Sequence, residues 1–220
     1  MVNIIRSRER GSSKSNWLDT KYSFSFASYY NPERVGFKSL RVLNEDIIKP
    51  NGGFPMHDHE NFEIVTIILE GALAHEDSLG NKGLIKAGDV QRMSAGTGIE
   101  HSEVNPSERE SVHLLQIWIE PKIKNIKPSY QQKSFTIKGL TKIVGQDKDA
   151  LSINQDVTFY LAKIEKEKLK AKNSYLHVIE GKVRVGKDVL EKGDAAEILE
   201  ETEVEAKEKV FFLLIEFENL

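Results

Sequence analysis

Cysteine is absent from this 220-residue chain, which removes disulfide staples, thiolate zinc sites and any thiol-based redox switch. A redox response would have to come from a bound metal. No apolar run approaches the length of a membrane-spanning helix, and the N-terminal stretch Met1 to Gly11 places charges directly after a very short apolar run, with no secretory h-region. The expectation is a soluble, cytoplasmic protein without membrane attachment. Neither sign of charge dominates, because 31 basic and 34 acidic residues are mixed along the chain for a net charge of −3. Without a basic stripe, no direct nucleic-acid binding is expected. Helical periodicity is scarce too. The best candidate helix is the charged stretch Lys163 to Lys170, which reads equally as a strand followed by a basic loop.

Strand signals fill the space left by helix. Leu40 to Leu43, Glu63 to Glu70, Asp89 to Met93, Val112 to Ile119, Tyr175 to Ile179 and Val210 to Phe217 are short, rich in β-branched or aromatic residues, and bounded by turns. Glu63 to Leu69 is apolar on both faces, as for a strand covered on both sides. The turns fall at the spacing of a sandwich or barrel. Two of them echo each other: Glu70-Gly71 followed by Gly88-Asp89 matches Glu180-Gly181 followed by Gly193-Asp194. The chain therefore reads as all-β, with a duplicated layout and a Lys-rich connection from Lys122 to Lys142.

Chemistry concentrates in two short pairs, His57 with His59 and His101 with Glu103. Successive side chains of a strand point to opposite faces, so residues i and i+2 project together and can reach one ion. The 41-residue interval between the pairs has its own strand and turn signals, which allows the second pair to return beside the first. Three imidazoles and a carboxylate suit a divalent first-row metal; iron(II) is typical, and zinc, manganese, nickel, cobalt or copper also fit. Four ligands would close a tetrahedral structural zinc site, whereas a metal preferring six keeps two positions open.

The stretch from Gly53 through His57, His59 and Glu63 to Gly71 approximates the first cupin motif, and Gly88 through Gly96 and His101 to Asn105 the second, without the proline expected near Ser94. A closer likeness joins Asn16-Trp17-Leu18-Asp19, Tyr29-Tyr30-Asn31-Pro32-Glu33, Leu40 to Asp46, His75 to Asn81, Gly88 to Gly98 and His113 to Trp118. In these stretches the chain resembles the pirin family, over somewhat more than half its length. That resemblance implies a bicupin, two tandem cupin β-barrels of the jelly-roll type: residues 1–122 as the metal-binding cupin, and residues 123–220 as a degenerate cupin without a metal site. It places the ligands on His57, His59, His101 and Glu103, with Asp58 where relatives usually have proline.

Some pirin-family proteins are quercetin 2,3-dioxygenases, so the resemblance implies an oxidoreductase that cleaves the central ring of a flavonol or related polyphenol with O2 and releases carbon monoxide. In that chemistry Glu103 is the natural base for the 3-hydroxyl proton. Other pirins are iron-dependent partners of transcription factors, which leaves a redox-dependent regulatory protein with a protein partner as the alternative. Glu63 sits where a generic cupin often has its carboxylate ligand, and the pirin pattern makes it an acceptor in the pocket instead. His75 is expected as an exposed partner of Glu76 and Asp77. His113 and Gln116 are expected as hydrogen-bonded structural groups. Which face of Val112 to Ile119 points inward is open. Trp17, Tyr22, Phe24, Phe26, Tyr29 and Tyr30 read as a satellite core, His177 as a core or edge histidine, and Ala95 to Gly98 as the turn that delivers His101.

Overall fold

The structure, a computed structural model, describes residues 1–218. Twenty-one strands and one short 3-10 turn at Ser7–Glu9 make up the regular structure, and the described residues include no α-helix. The all-β expectation holds. Among the described residues no helix is long and apolar enough to cross a membrane. The candidate helix is two strands, Val157–Ile164 and Glu167–Ala171, turned at Lys166, which sits at φ 54°.

The chain divides into two compact units. One comprises Gly11–Phe135 with Ile153–Gln155 and contains a seven-stranded and a four-stranded antiparallel sheet. In its larger sheet the central strands are Glu63–Glu70, Val112–Ile119 and Leu40–Ile48. The smaller sheet runs Gly53–His59, Ile99–Val104, Ala72–Asp77 and Lys82–Lys86 in spatial order. Ile48, Ile68, Leu73, Ile85, Val112 and Leu114 form one apolar cluster here, and Ile64, Met93, Ala95 and Ile99 another.

The other unit comprises Met1–Arg10, Thr136–Ser152 and Asp156–Leu220, and it too contains two sheets, of six and four strands. Its first strand, Val2–Ile5, pairs with Ala195–Ile198 at the sheet edge. Its core is one large apolar cluster that includes Leu176, Val178, Val204, Phe212 and Leu214.

The sequence echo has a physical basis in the turns. Gly71 and Gly181 both sit in the left-handed region, at φ 78° and 80°, and a Cβ on either would lie 2.7 Å from the Ser111 carbonyl oxygen or 2.5 Å from that of Lys209. Only glycine meets both demands. Gly71→Ala and Gly181→Ala are each expected to destabilise the fold by about 2 kcal/mol or more, from the left-handed penalty plus the contact, as read from urea melts.

The aspartates of the echo act alike. Asp89 accepts the Lys86 amide at 2.9 Å and Asp194 accepts the Glu191 amide at 3.2 Å. Asp194 also receives the Ser7 amide at 2.7 Å and the Arg6 guanidinium at 2.9 Å. Burial pushes its carboxyl upward, but these donors outweigh burial and hold it below the ordinary value. A depressed folded-state pKa means stability that is present above the unfolded pKa and lost as pH falls through the folded one. Asp194→Asn is accordingly expected to cost about 1–3 kcal/mol at pH 7. The gap to the parent should close below about pH 4, which denaturant melts across pH would check.

Candidate metal centre

The site is assembled by the register of the smaller sheet in the Gly11–Phe135 unit. His101 lies opposite His57 on one side and opposite Asp77 on the other, and Glu103 lies opposite His75. Between His101 and Glu103 the partner strand steps from His57 to Phe54. The additional residue falls at Pro55 and Met56, where a proline without an N–H suits an irregular ladder. The Pro55 carbonyl accepts a hydrogen bond from His57 Nδ1 at 2.8 Å, which puts the proton on Nδ1 and leaves Nε2 as the free lone pair.

Three imidazoles converge there. Ring centroids are 4.7 Å apart for His57 and His59, 4.5 Å for His57 and His101, and 4.9 Å for His59 and His101. One ligand atom from each lies within 4.8 Å of the other two. His101 is fully buried, and neither of its ring nitrogens has a hydrogen-bond partner. Burial, followed by the neighbouring histidines, lowers His101 to about 2 and His59 to about 4. Both rings are therefore neutral at pH 7, the form in which imidazole binds a metal. An orphaned nitrogen on buried His101, beside two further imidazoles, is what a first-row divalent ion would satisfy, so the residues fit such an ion.

Glu103 is buried just behind. Gln116 Nε2 donates to its Oε2 at 2.8 Å, while the Thr66 hydroxyl donates to Gln116 Oε1 at 2.8 Å and stands 3.4 Å from Glu103 Oε1. Burial raises its carboxyl to about 7 against the lowering hydrogen bond from Gln116. Glu103 groups within ligating reach of His101 and of His75, rather than with His57 and His59.

The strand Val112–Ile119 turns Leu114, Gln116 and Trp118 inward. Leu114 joins the apolar cluster, Gln116 holds Glu103, and Trp118 packs edge-on to His59 at 4.8 Å. His113, on the opposite face, bonds Glu45 at 3.1 Å, as its structural reading anticipates. Phe26 and Phe62 pack on Trp118 at 5.4 and 5.3 Å, so part of the aromatic cluster reaches the site. Phe24 is buried, whereas Tyr30 is 74% exposed and lies outside any core. Glu63 is held aside as an acceptor, taking the Ser94 hydroxyl at 2.8 Å and the Asn154 amide at 3.3 Å.

His75 departs from expectation. It is 2% exposed, its Nε2 lies 3.2 Å from Asp77 Oδ2, and Tyr130 stacks on its ring at 4.9 Å. The acidic neighbours suggest exposure; Ala72–Asp77 instead forms an interior strand of the sheet, and His75 alternates to the inner face with Asp77. The signal was present as His-x-Asp at i and i+2.

A directly paired row, Gln91, Thr66, Gln116 and Asn44, crosses the larger sheet of this unit beside Glu103. All four are buried. At the matching positions of the other unit, counted from the shared Glu-Gly and Gly-Asp turns, stand Ala196, Leu176 and Leu214, which pair directly and belong to its apolar core. Ala171, Val204 and Ala206 fill the inner side of its smaller sheet. At these three positions the row is polar in one unit and apolar in the other.

The comparison with known proteins follows this geometry. The profile described as Pirin matches residues 4–119. The chain belongs to the pirin family. A second profile, described as the quercetinase C-terminal cupin domain, matches residues 143–217. Among relatives of this pirin, a protein named quercetin 2,3-dioxygenase from Escherichia coli strain K12 is 45% identical over 163 residues, covering 73% of this chain and 71% of the relative. A pirin-like protein from Caulobacter vibrioides is 47% identical over 154 residues, 66% of each chain. A crystal structure of a bacterial pirin in complex with nickel(II) from Escherichia coli superposes with a TM-score of 0.96 at 36% identity, covering 100% of both chains. The pirin fold with its two cupin units makes the chain a bicupin, as the family resemblance implies.

Proposed function

We propose that this pirin is a metal-dependent oxidoreductase, a dioxygenase that opens the central ring of flavonols such as quercetin with O2 and releases carbon monoxide. Its divalent metal would be held by His57, His59, His101 and Glu103, with iron(II) the ion that the mixed imidazole and carboxylate set suits best. The observation that carries this reading is the convergence of three imidazoles, one fully buried with both nitrogens orphaned, beside a buried carboxylate. The quercetin 2,3-dioxygenase name of a 45% identical relative supports the reaction class, and the nickel(II) complex of the similar pirin supports a divalent ion.

When bound, the metal supplies Lewis acidity and a centre for dioxygen chemistry. The protein supplies the rest. Gln116 donates to Glu103 Oε2, which leaves Oε1 as the atom to accept the proton of the flavonol 3-hydroxyl. Holding that carboxylate in a fixed rotamer aligns the transfer. Trp118, backed by Phe26 and Phe62, forms an aromatic wall beside His59 suited to a flat aryl ring. Incubating the metal-loaded protein with quercetin in air should bleach the flavonol chromophore with release of carbon monoxide. No turnover across a flavonol panel with iron, nickel, cobalt, manganese or copper would overturn the proposal.

A further inference from the structure

Behind the three converging histidines lies a second group able to hold an ion: His75, His101 and Glu103, whose ligand atoms also lie within 4.8 Å of one another. We infer that His75 is a metal ligand, and that with His101 and Glu103 it forms an inner station for the same ion, sharing His101 with the outer station of His57, His59 and His101. The inference rests on the proposed metal site and adds a residue to it.

The side chain of His75 is held as metal-bound histidines are held. One ring nitrogen faces a carboxylate that fixes orientation and tautomer, and the other is left to the ion. Here Asp77 takes Nε2 at 3.2 Å, and Asp77 is itself locked by the Leu79 and Asn81 amides at 3.0 Å and by the Asn81 side chain at 2.9 Å. Nδ1 of His75 is buried with no hydrogen-bond partner. A histidine kept only for packing would strand that nitrogen at a cost, because buried polar atoms are ordinarily satisfied.

Register carries the argument further. His75 lies directly opposite Glu103, and Asp77 directly opposite His101, so the sheet places the two residues of each cross-strand pair side by side. His75 and His101 rings are 5.3 Å apart. Two ligands on one first-row ion lie at most about 4.2 Å apart, twice a metal–nitrogen bond; a group already inside 4.8 Å closes on an ion by a small movement of side chains. Tyr130, stacked on the His75 ring at 4.9 Å, restricts its movement. Glu103 has its ligating neighbours, His75 and His101, in this inner group, where Gln116 holds its carboxylate.

The test counts metal and imidazoles, with nickel(II) and copper(II) as probes. Full-length protein and its variants are titrated with nickel(II) against a chromophoric chelator, and imidazole ligands are counted on copper(II) by pulsed electron paramagnetic resonance. The double variant His57→Ala/His59→Ala is expected to keep one nickel(II), bound roughly 10–100-fold more weakly than in the parent, with two coupled imidazoles on copper(II). Adding His75→Gln, which preserves a hydrogen bond to Asp77, should weaken binding by a further factor of roughly 100 and leave one imidazole. His75→Asn serves as the second replacement, and circular dichroism of both shows that the fold is intact. If the triple variant binds nickel(II) as the double variant does, or if the double variant shows one imidazole, the inner station does not exist. If the parent protein binds neither metal, the proposed metal site itself falls, a result distinct from loss confined to the variants.

Discussion

His101→Ala is expected to remove metal and turnover together, leaving a folded protein with no more than a trace of bound ion. His101 is the one residue common to both ligating groups, so its loss breaks the His57, His59 and His101 group and the His75, His101 and Glu103 group together. Even partners that only orient a ligand cost about 10–100-fold in affinity when removed, so loss of this shared ligand should exceed roughly 100-fold. Stability of the metal-free form should fall little. The wild-type ring makes no hydrogen bond to lose, and the strand Ile99–Val104 keeps its ladder to both neighbours. Metal analysis after purification, alongside a thermal melt of the metal-free forms, separates the two effects. Stoichiometric metal in the variant would contradict the proposed centre.

Glu103→Gln is the second large effect, and it divides holding the ion from moving the proton. The replacement is isosteric. Its side-chain carbonyl can still accept from Gln116, but it has no basic oxygen for the flavonol proton. Loss of a positioned general base costs about 10²–10⁴-fold in rate. Metal affinity should fall by much less, because the histidines remain. The decisive measurement is kcat at saturating metal: a rate restored to the parent level by excess ion would mean that Glu103 acts only as a ligand. Gln116→Leu provides the companion result. It removes the donor to Oε2 and leaves the Thr66 hydroxyl only Glu103 Oε1, at 3.4 Å, to bond, and it should lower kcat more than it raises KM for quercetin.

Much of this site was legible before any fold was known, for reasons tied to single residues. His57 and His59, and likewise His101 and Glu103, are separated by two positions, and strand periodicity makes each pair share a face whatever the sheet around it. The Glu70-Gly71 and Glu180-Gly181 turns were legible because the left-handed backbone there tolerates only glycine, which leaves a mark in sequence. His75 was misread for the opposite reason. Its neighbours Glu76 and Asp77 are acidic and suggest solvent, yet Glu76 points out while Asp77 turns in and is 5% exposed. The face of Gln116 is not legible in sequence, because Val112 to Ile119 is apolar on both sides and alternation carries no information there. The strand Val2–Ile5 was equally silent, since four residues with mixed burial do not name their partner.

What the sequence determined by itself, then, is everything set by local geometry: an all-β chain, its duplicated turns, and two ligand-capable pairs each on one face of a strand. Tertiary structure alone decided what depends on register. It placed His101 between His57 and Asp77, set His75 opposite Glu103, and turned Gln116 toward that carboxylate. It also chose which interior is polar, by lining Gln91, Thr66, Gln116 and Asn44 across one sheet and Ala196, Leu176 and Leu214 across the other. The physical reason is the pleat: periodicity tells which residues of one strand share a face, while a shift of one residue between strands changes every neighbour across the ladder.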